Sequence, residues 1–286
     1  MTLRENRAET FADCANTRFS ALLPVYAGEQ PQYLSESLDS VRKSSWLPSQ
    51  VVVVEDGPLT PALERVLREH AESLPLHRVR RPRQGLPAAL NAGLAECEHE
   101  IVARCDADDI NLPQRFKQQL QLLAARPEVG VVGANVREFD AQALTPMRER
   151  RVPCEPARIS RYARTRNPLN HPSVMYRKSV IQQVGGYSNL RGFEDYALWL
   201  RCLVAGVQIV NLEQPLVHVR AGTAMLARRR GLAYARAELA MAWYAHRIGF
   251  LGLGGTALFI ASRVPLRLVP APALASIYRN FLRAQR

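Results

Sequence analysis

Residues 100–113 read EIVARCDADDINLP, an apolar run that ends in three carboxylates within four positions: Asp106, Asp108 and Asp109. Carboxylates this close repel one another unless a positive partner joins them. A hard divalent cation is the usual partner, since Mg²⁺ takes one or two carboxylates together with phosphate oxygens. The competing reading is an acidic turn leading into a helix N-terminus, where negative charge is favoured without any ligand. A second acidic group shifts the balance. VVVVEDG closes another apolar run with Glu55, Asp56 and Gly57, and a carboxylate there suits the N–H and O–H donors of a nucleotide base and ribose. A third lies in RGFEDYALWLRC, where Glu194 and Asp195 precede a helical stripe of Phe193, Ala197, Leu200 and Val204. Gly185, Gly186, Tyr187 and Gly192 beside it point to a pliable backbone of the kind that binding loops need.

The elements that must position these acids alternate in type. RFSALLPVY is strand-like, and YLSESLDSVRKS has helical spacing through Leu34, Leu38 and Val41. QVVVVEDG is β-branched and too short for an amphipathic helix, as expected of a strand covered on both faces. TPALERVLREHAESL predicts a helix with Thr60 as cap and Pro61 at its first position. LPAALNAGLAEC predicts another helix and EIVARCD another buried strand. LPQRFKQQLQLLAAR follows as a helix capped by Asn111, with Phe116, Leu120 and Leu123 on one face, and then VGVVGANVREFD as a strand. Such alternation predicts an α/β domain with a mainly parallel sheet and helices on both sides. Ligands of these sheets bind beyond the carboxyl ends of the strands, where Asp56 and Asp106–Asp109 fall. After Arg150 the pattern becomes irregular, with NPLNHPSVMYRKS as a Pro-rich loop and strand and QIVNLEQPLVHV as a further strand.

The chain has 286 residues and a net charge of +12, unevenly spread. From Arg220 onward there are eleven arginines against one acid, Glu238, so the region carries +10 and residues 1–219 only +2. Within this tail, IGFLGLGGTALFIAS (248–262) is uncharged. At 1.5 Å per residue it spans roughly 22 Å, short of the roughly 30 Å hydrocarbon core of a bilayer. The tail is therefore expected to be helical and to lie on an anionic membrane surface through its arginines. The alternative is a helical bundle packed on the main domain with its arginines in water. Five scattered cysteines, an odd number, favour free thiols and a cytoplasmic setting. Residues 1–17 are polar and lack the apolar core of a signal peptide.

Taken in order, SALLPVY, VVVVEDG, GLPAALNAGL, IVARCDADDINLPQRF, NHPSVMYRKSVIQQVGGY and FEDYALWLR resemble glycosyltransferase family 2, in particular its bacterial exopolysaccharide and O-antigen enzymes of the amylovoran type. The resemblance runs from about Phe19 to Arg220. It implies a GT-A fold, a Rossmann-like nucleotide-diphospho-sugar transferase architecture. A nucleotide-sugar half (18–140) and an acceptor half (141–220) would follow a polar leader (1–17) and precede the basic helical region (221–286). It implies that Pro24, Tyr26 and Asp56 hold the nucleotide, with Asp56 at a uracil, and that Asn91 lines the donor pocket. Asp106 and Asp108 match the Asp-X-Asp motif, Asp106 near the ribose or sugar and Asp108 on Mg²⁺ or Mn²⁺. Asp195 of the Glu194–Asp195 pair matches the catalytic base, and His171, Gly186 and Tyr187 fall on the acceptor side. The implied activity is inverting transfer from a nucleotide-diphosphate sugar, by family preference a UDP-sugar, to a saccharide carried on polyprenyl diphosphate at the cytoplasmic face of the inner membrane. His218 is weighed as a group approaching the metal, and Arg220 as a phosphate contact or a plain surface arginine.

Three other readings compete with this, and the one of an inactive, regulatory relative is disfavoured by the presence of all three acidic clusters. A sugar-nucleotide pyrophosphorylase shares the sheet type, but LPVYAGEQP is a poor match for the Gly-rich, Arg-containing loop after its first strand. Nucleic-acid binding through the arginine tail lacks a recognisable motif, and the near-neutral body argues against an extended basic groove.

Overall fold

A computed structural model describes residues 17–139, 148–220 and 231–268. The leader expected at 1–17, apart from its last residue, and the terminal segment 269–286 lie outside the described residues. Among the described residues nine strands form one sheet: β1 (Phe19–Val25), β2 (Gln50–Asp56), β3 (Leu76–Arg81), β4 (Ile101–Arg104), β5 (Ile110–Asn111), β6 (Val129–Phe139), β7 (Arg148–Arg150), β8 (Met175–Arg177) and β9 (Gln208–Arg220). Their order is β3-β2-β1-β4-β8-β6-β9-β5, with β7 paired to β6. The long ladders, β3-β2-β1-β4 and β6-β9, are parallel, and the short ones that join and edge them are antiparallel. The sheet is thus the mixed, mostly parallel one expected of the GT-A type.

The helices are α1 (Pro31–Arg42), α2 (Pro61–Ala71), α3 (Leu86–Glu96), α4 (Arg115–Ala125), α5 (Pro156–Tyr162), α6 (Lys178–Gln183), α7 (Glu194–Val204), α8 (Gly231–Arg247) and α9 (Leu253–Leu268). The four valines of β2 show why they form a strand. Val51 and Val53 enter the core under α1, α2 and α4, while Val52 and Val54 enter the opposite core under α3, α6 and α7. A period of two serves both faces, and each fully buried valine contributes on the order of 1.5–3 kcal/mol. Helix α3 lies closest to the sheet at Gly93, where a Cβ would come within 2.4 Å of Val54. A third core joins α7 to the α8–α9 hairpin through Tyr196, Ala197, Leu200, Met241, Ala242, Ala245 and Phe259.

Thr60 caps α2 as expected, its side chain accepting from Leu63 N at 3.3 Å. Asn111 does not cap α4. It sits in β5, its side chain bound to Ser40 Oγ and to the Arg115 guanidinium, and the helix starts at Arg115. The backbone N–H groups that Asn111 would have capped lie beyond its reach, because Leu112–Gln114 form a turn first. The edge strand β3, LHRVRR, carries no apolar alternation and has no counterpart in the sequence reading. It is held by charge instead: Arg78 binds Glu55 at 2.6 Å and Glu64 at 2.7 Å.

Candidate active site

Strands β1, β2 and β4 run parallel and end at one rim, with Val25 opposite Glu55 and Leu22 opposite Arg104. Alternation along β2 sends its two terminal acids to different jobs. Glu55 is buried and clamps the edge strand through Arg78, whereas Asp56 reaches the loop before α3. There Asp56 Oδ1 accepts from Gln84 N at 2.7 Å and Oδ2 from Gly85 N at 3.0 Å. Gly85 adopts φ of +91°, a conformation that favours glycine, to present that N–H. Pro24 lies in β1 next to Val54 of β2. Tyr26 just beyond β1 is exposed, with the Arg83 guanidinium 5.7 Å from its ring centre. Gly28 packs so tightly on that ring that a Cβ would come within 2.4 Å of it.

The loop after β4 gathers Asp106, Asp108 and Asp109 so that one oxygen of each lies within 4.8 Å of the others. Ser37 of α1 anchors the loop by donating to the Asp106 carbonyl at 2.7 Å. Asp109 is buried and accepts from Arg220 N at 2.9 Å. Burial, followed by repulsion from Asp106, pushes Asp108 up to about 6 and Asp109 well above the ordinary carboxylate range. Three hard oxygen donors that resist ionising together fit a hard divalent cation, whose charge would relieve the repulsion. His218 is not among the clustered donors. Its Nε2 is buried without a partner, its ring meets Phe139 edge-on, and burial lowers its pKa.

Arg220 is not a free surface arginine. It lies 3.8 Å over the Tyr33 ring and 4.8 Å over Phe139, binds Glu36 at 2.6 Å, and donates from Nε to the Asp108 carbonyl at 3.1 Å. It braces the acidic loop from below. Two further arginines were not singled out from sequence. Arg104, the last residue of β4, is buried and donates to the Asp106 carboxylate. Burial works against its charge, but Asp106, Tyr187 and Asp109 hold its proton more firmly than usual. Its charge also favours the ionised forms of Asp108, Glu194 and Asp195, so one cation serves both acidic clusters. Arg115 is fully buried and donates to the carbonyls of Arg104 (2.7 Å) and Val174 (3.1 Å), fixing the strand end that carries Arg104. An arginine closing an apolar strand just before DADD was the available signal.

Glu194 and Asp195 open α7, as the stripe predicts, although Val204 at its end is exposed. Asp195 Oδ2 accepts from Asn167 Nδ2 at 2.6 Å, and Oδ1 from Tyr196 N at 2.7 Å. Burial raises the pKa of Asp195 despite both bonds, and burial followed by Asp195 raises that of Glu194. Asn91 and Gly186–Tyr187 form a clip: Asn91 Nδ2 donates to the Tyr187 carbonyl and Oδ1 accepts from Tyr187 N, each at 2.7 Å. Gly186 is required there, because φ is +63° and a Cβ would lie 2.5 Å from Asn91 Oδ1. His171 Nε2 lies 3.2 Å from the Tyr187 hydroxyl, and burial, then Arg104, keeps its ring neutral. Asn91, His171 and Tyr187 therefore pack as one wall, their polar groups turned to each other.

Comparison with known proteins agrees with this architecture. The model of the family described as Glycosyl transferase family 2 matches residues 20–185. An uncharacterized glycosyltransferase of Haemophilus influenzae is 37% identical over 93% of this chain and 99% of its own length. The amylovoran biosynthesis glycosyltransferase AmsE of Erwinia amylovora is 36% identical over 92% and 98% of the two chains. An Escherichia coli UDP-Gal:alpha-D-GlcNAc-diphosphoundecaprenol beta-1,3-galactosyltransferase is 33% identical over 93% and 97%. Among solved structures, S. aureus TarS 1-349 in complex with UDP-GlcNAc superposes with a TM-score of 0.65 at 19% identity, over 87% of this chain and 72% of that one. The mannosyltransferase PcManGT of Pyrobaculum calidifontis, solved with GDP-Man and Mn²⁺, gives 0.58 at 18%, over 98% and 87%. Both structural likenesses bear on the fold alone. With the sheet, its acidic rim and these relatives in agreement, the chain belongs to glycosyl transferase family 2 and is a glycosyltransferase.

Proposed function

We propose that the chain transfers a sugar, with inversion, from a UDP-linked donor to a saccharide on a lipid diphosphate at the cytoplasmic membrane face, in the synthesis of a bacterial surface polysaccharide. The gathering of Asp106, Asp108 and Asp109 at the carboxyl ends of the parallel strands carries this reading. The UDP-Gal donor and GlcNAc-diphosphoundecaprenol acceptor named for the Escherichia coli relative support the donor and acceptor classes. Asp106 and Asp108, with Asp109 beside them, would hold Mg²⁺ or Mn²⁺. When bound, such an ion supplies positive charge against the departing nucleoside diphosphate. Tyr26, beside Arg83, offers a face for the base, and the remaining acceptor capacity of Asp56 suits a uracil N–H. Asn91 and Gly186–Tyr187 shape the wall between donor and acceptor, with His171 behind them.

Asp195 takes the proton of the acceptor hydroxyl as its oxygen bonds to the anomeric carbon. The bond from that carbon to the diphosphate breaks, and its electron pair leaves with the nucleotide. Asn167 fixes the orientation of the Asp195 carboxylate, and burial makes it a stronger base than a surface aspartate. Arg104 holds Asp106, and its charge favours the ionised form of Asp195 against the burial that raises its pKa. The nucleic-acid reading loses support where the tail is described, since Arg263 and Arg267 bind Glu238. Binding of UDP-sugars with Mn²⁺ and transfer to a lipid-diphosphate GlcNAc acceptor test the proposal. Asp108→Ala should weaken binding, and Asp195→Asn should bind donor but transfer nothing. Normal transfer by Asp195→Asn would refute the base assignment.

A further inference from the structure

The α8–α9 hairpin is turned inside out with respect to charge. Its only acid, Glu238, is fully buried and bound by Arg263 (2.5 and 2.9 Å) and by Arg267 (2.8 and 3.0 Å). Both arginines of α9 therefore face the protein, stacked over Phe259 at 5.0 Å and Tyr234 at 4.9 Å. α9 shows Leu253, Ala257, Leu258, Ala261, Pro265 and Leu266 to solvent at helical spacing; its other exposed residues, Gly254, Ser262 and Leu268, are uncharged as well. Leu253 is 73% and Leu258 60% exposed. An apolar stripe turned outward, with the charges inward, reverses the pattern of a helix on a water-facing surface.

The charge of the hairpin says what covers this face. Arg164 has its Nη2 beside Gly255 at the start of α9, and the exposed side of α8 carries Arg236, Trp243 and Arg247. Among the described residues of α8 and α9 no acid is exposed. An apolar strip on a hairpin whose exposed charges are all basic, and which also exposes a tryptophan, complements a bilayer with anionic headgroups, where tryptophan prefers the interface. A second copy of the chain would bring the same arginines face to face. No helix of the described residues is long and apolar enough to cross a membrane, so the fit is to one lying in the surface.

We infer that the outer face of α9 inserts into the surface of an anionic phospholipid bilayer, and that Arg263 and Arg267 are internal struts for this helix and not its lipid contacts. The inference rests on the proposed lipid-linked acceptor only for its purpose. Arg263 Nη1 donates to the Thr165 carbonyl at 2.8 Å, two residues before the Asn167 that holds Asp195. A bilayer on the outer face would lie about one helix diameter, roughly 10 Å, from that segment.

The test is flotation of the full chain with vesicles of phosphatidylcholine mixed with phosphatidylglycerol. Wild type should float and should stay bound in about 1 M salt, where screening acts within roughly 3 Å. The double variant Leu258→Asp, Leu266→Asp should lose about tenfold or more of its binding, because charge on the inserted face is costly. Leu47→Asp, an exposed leucine elsewhere, should bind as wild type. Flotation of the double variant equal to wild type, complete release of wild type by salt, or a wild-type dimer in light scattering that the double variant abolishes would each overturn the inference. Donor binding in the same preparations separates the two claims. A wild type that floats but binds no UDP-sugar refutes the proposed function and leaves the docking face standing.

Discussion

The clustered aspartates predict that this protein is less stable at neutral pH than its chemistry-free counterpart. Asp108 has its carboxyl raised from an ordinary 3.8 to about 6, by burial first and Asp106 second. A carboxyl with a raised folded-state pKa contributes stability that is fully present below the unfolded value and is lost as pH climbs through the folded one. For Asp108 that window runs from about 4 to about 6, and the difference corresponds to roughly 3 kcal/mol at 1.36 kcal/mol per tenfold change in proton affinity. His171 and His218 have lowered pKa values and act in the opposite sense over an overlapping range, so the wild-type profile alone does not isolate the effect. The comparison with Asp108→Asn does. Asparagine keeps the shape without the charge, so in the presence of a chelator the variant should match wild type near pH 4. At pH 7 it should exceed wild type by up to about 3 kcal/mol. Urea denaturation followed by circular dichroism at several pH values reads this difference. Saturating Mn²⁺ with UDP should shrink or invert it, because ligand that binds only the folded wild type adds stability. A variant no more stable than wild type at pH 7 without metal would refute the electrostatic account of the cluster.

Three further outcomes follow from the second acidic pair and the α8–α9 hairpin. Asn167→Ala should lower kcat by roughly 10–100-fold with little change in donor affinity, since it frees a carboxylate that must be aimed. In wild type, kcat should rise with pH through a pKa above the ordinary aspartate value, because burial raises that of Asp195; equal donor affinity with an unchanged pH profile and kcat in the variant would remove Asn167 from the mechanism. Glu238→Gln should destabilise the chain by about 3–5 kcal/mol in chemical denaturation, since it leaves two partly buried arginines without their counter-charge; a loss below about 1 kcal/mol would show that the clamp is relaxed in solution.

Most of the frame of the candidate site was legible in the residues themselves. Four consecutive valines, a Thr-Pro helix start and the apolar stripe after Glu194 announce elements because they depend on local periodicity and capping. The edge strand β3 was not legible, because a strand held by Arg78–Glu55 and Arg78–Glu64 bonds has no apolar signature. Neither was the rejection of Asn111 as a cap, since its partner Ser40 is 71 residues away. Within the basic tail the orientation of α9 was not legible either, although Arg236 and Arg247 of α8 are exposed as a cationic surface requires. Charge counted along the chain does not show that Glu238 draws Arg263 and Arg267 of this helix inward and leaves its leucines outside.

Local sequence determined which segments are strands and helices, and that carboxylates stand at their ends, because these depend on neighbours one to four residues away. Tertiary structure alone decided which carboxylate does which work. Glu55 and Asp56 are adjacent in the chain, yet one secures an edge strand and the other a loop. Asp108 and Asp195 owe their raised pKa values first to burial, and Asp195 its aim to Asn167, 28 positions earlier. Desolvation and orientation belong to the packed surroundings of a group, which converge from distant parts of the chain.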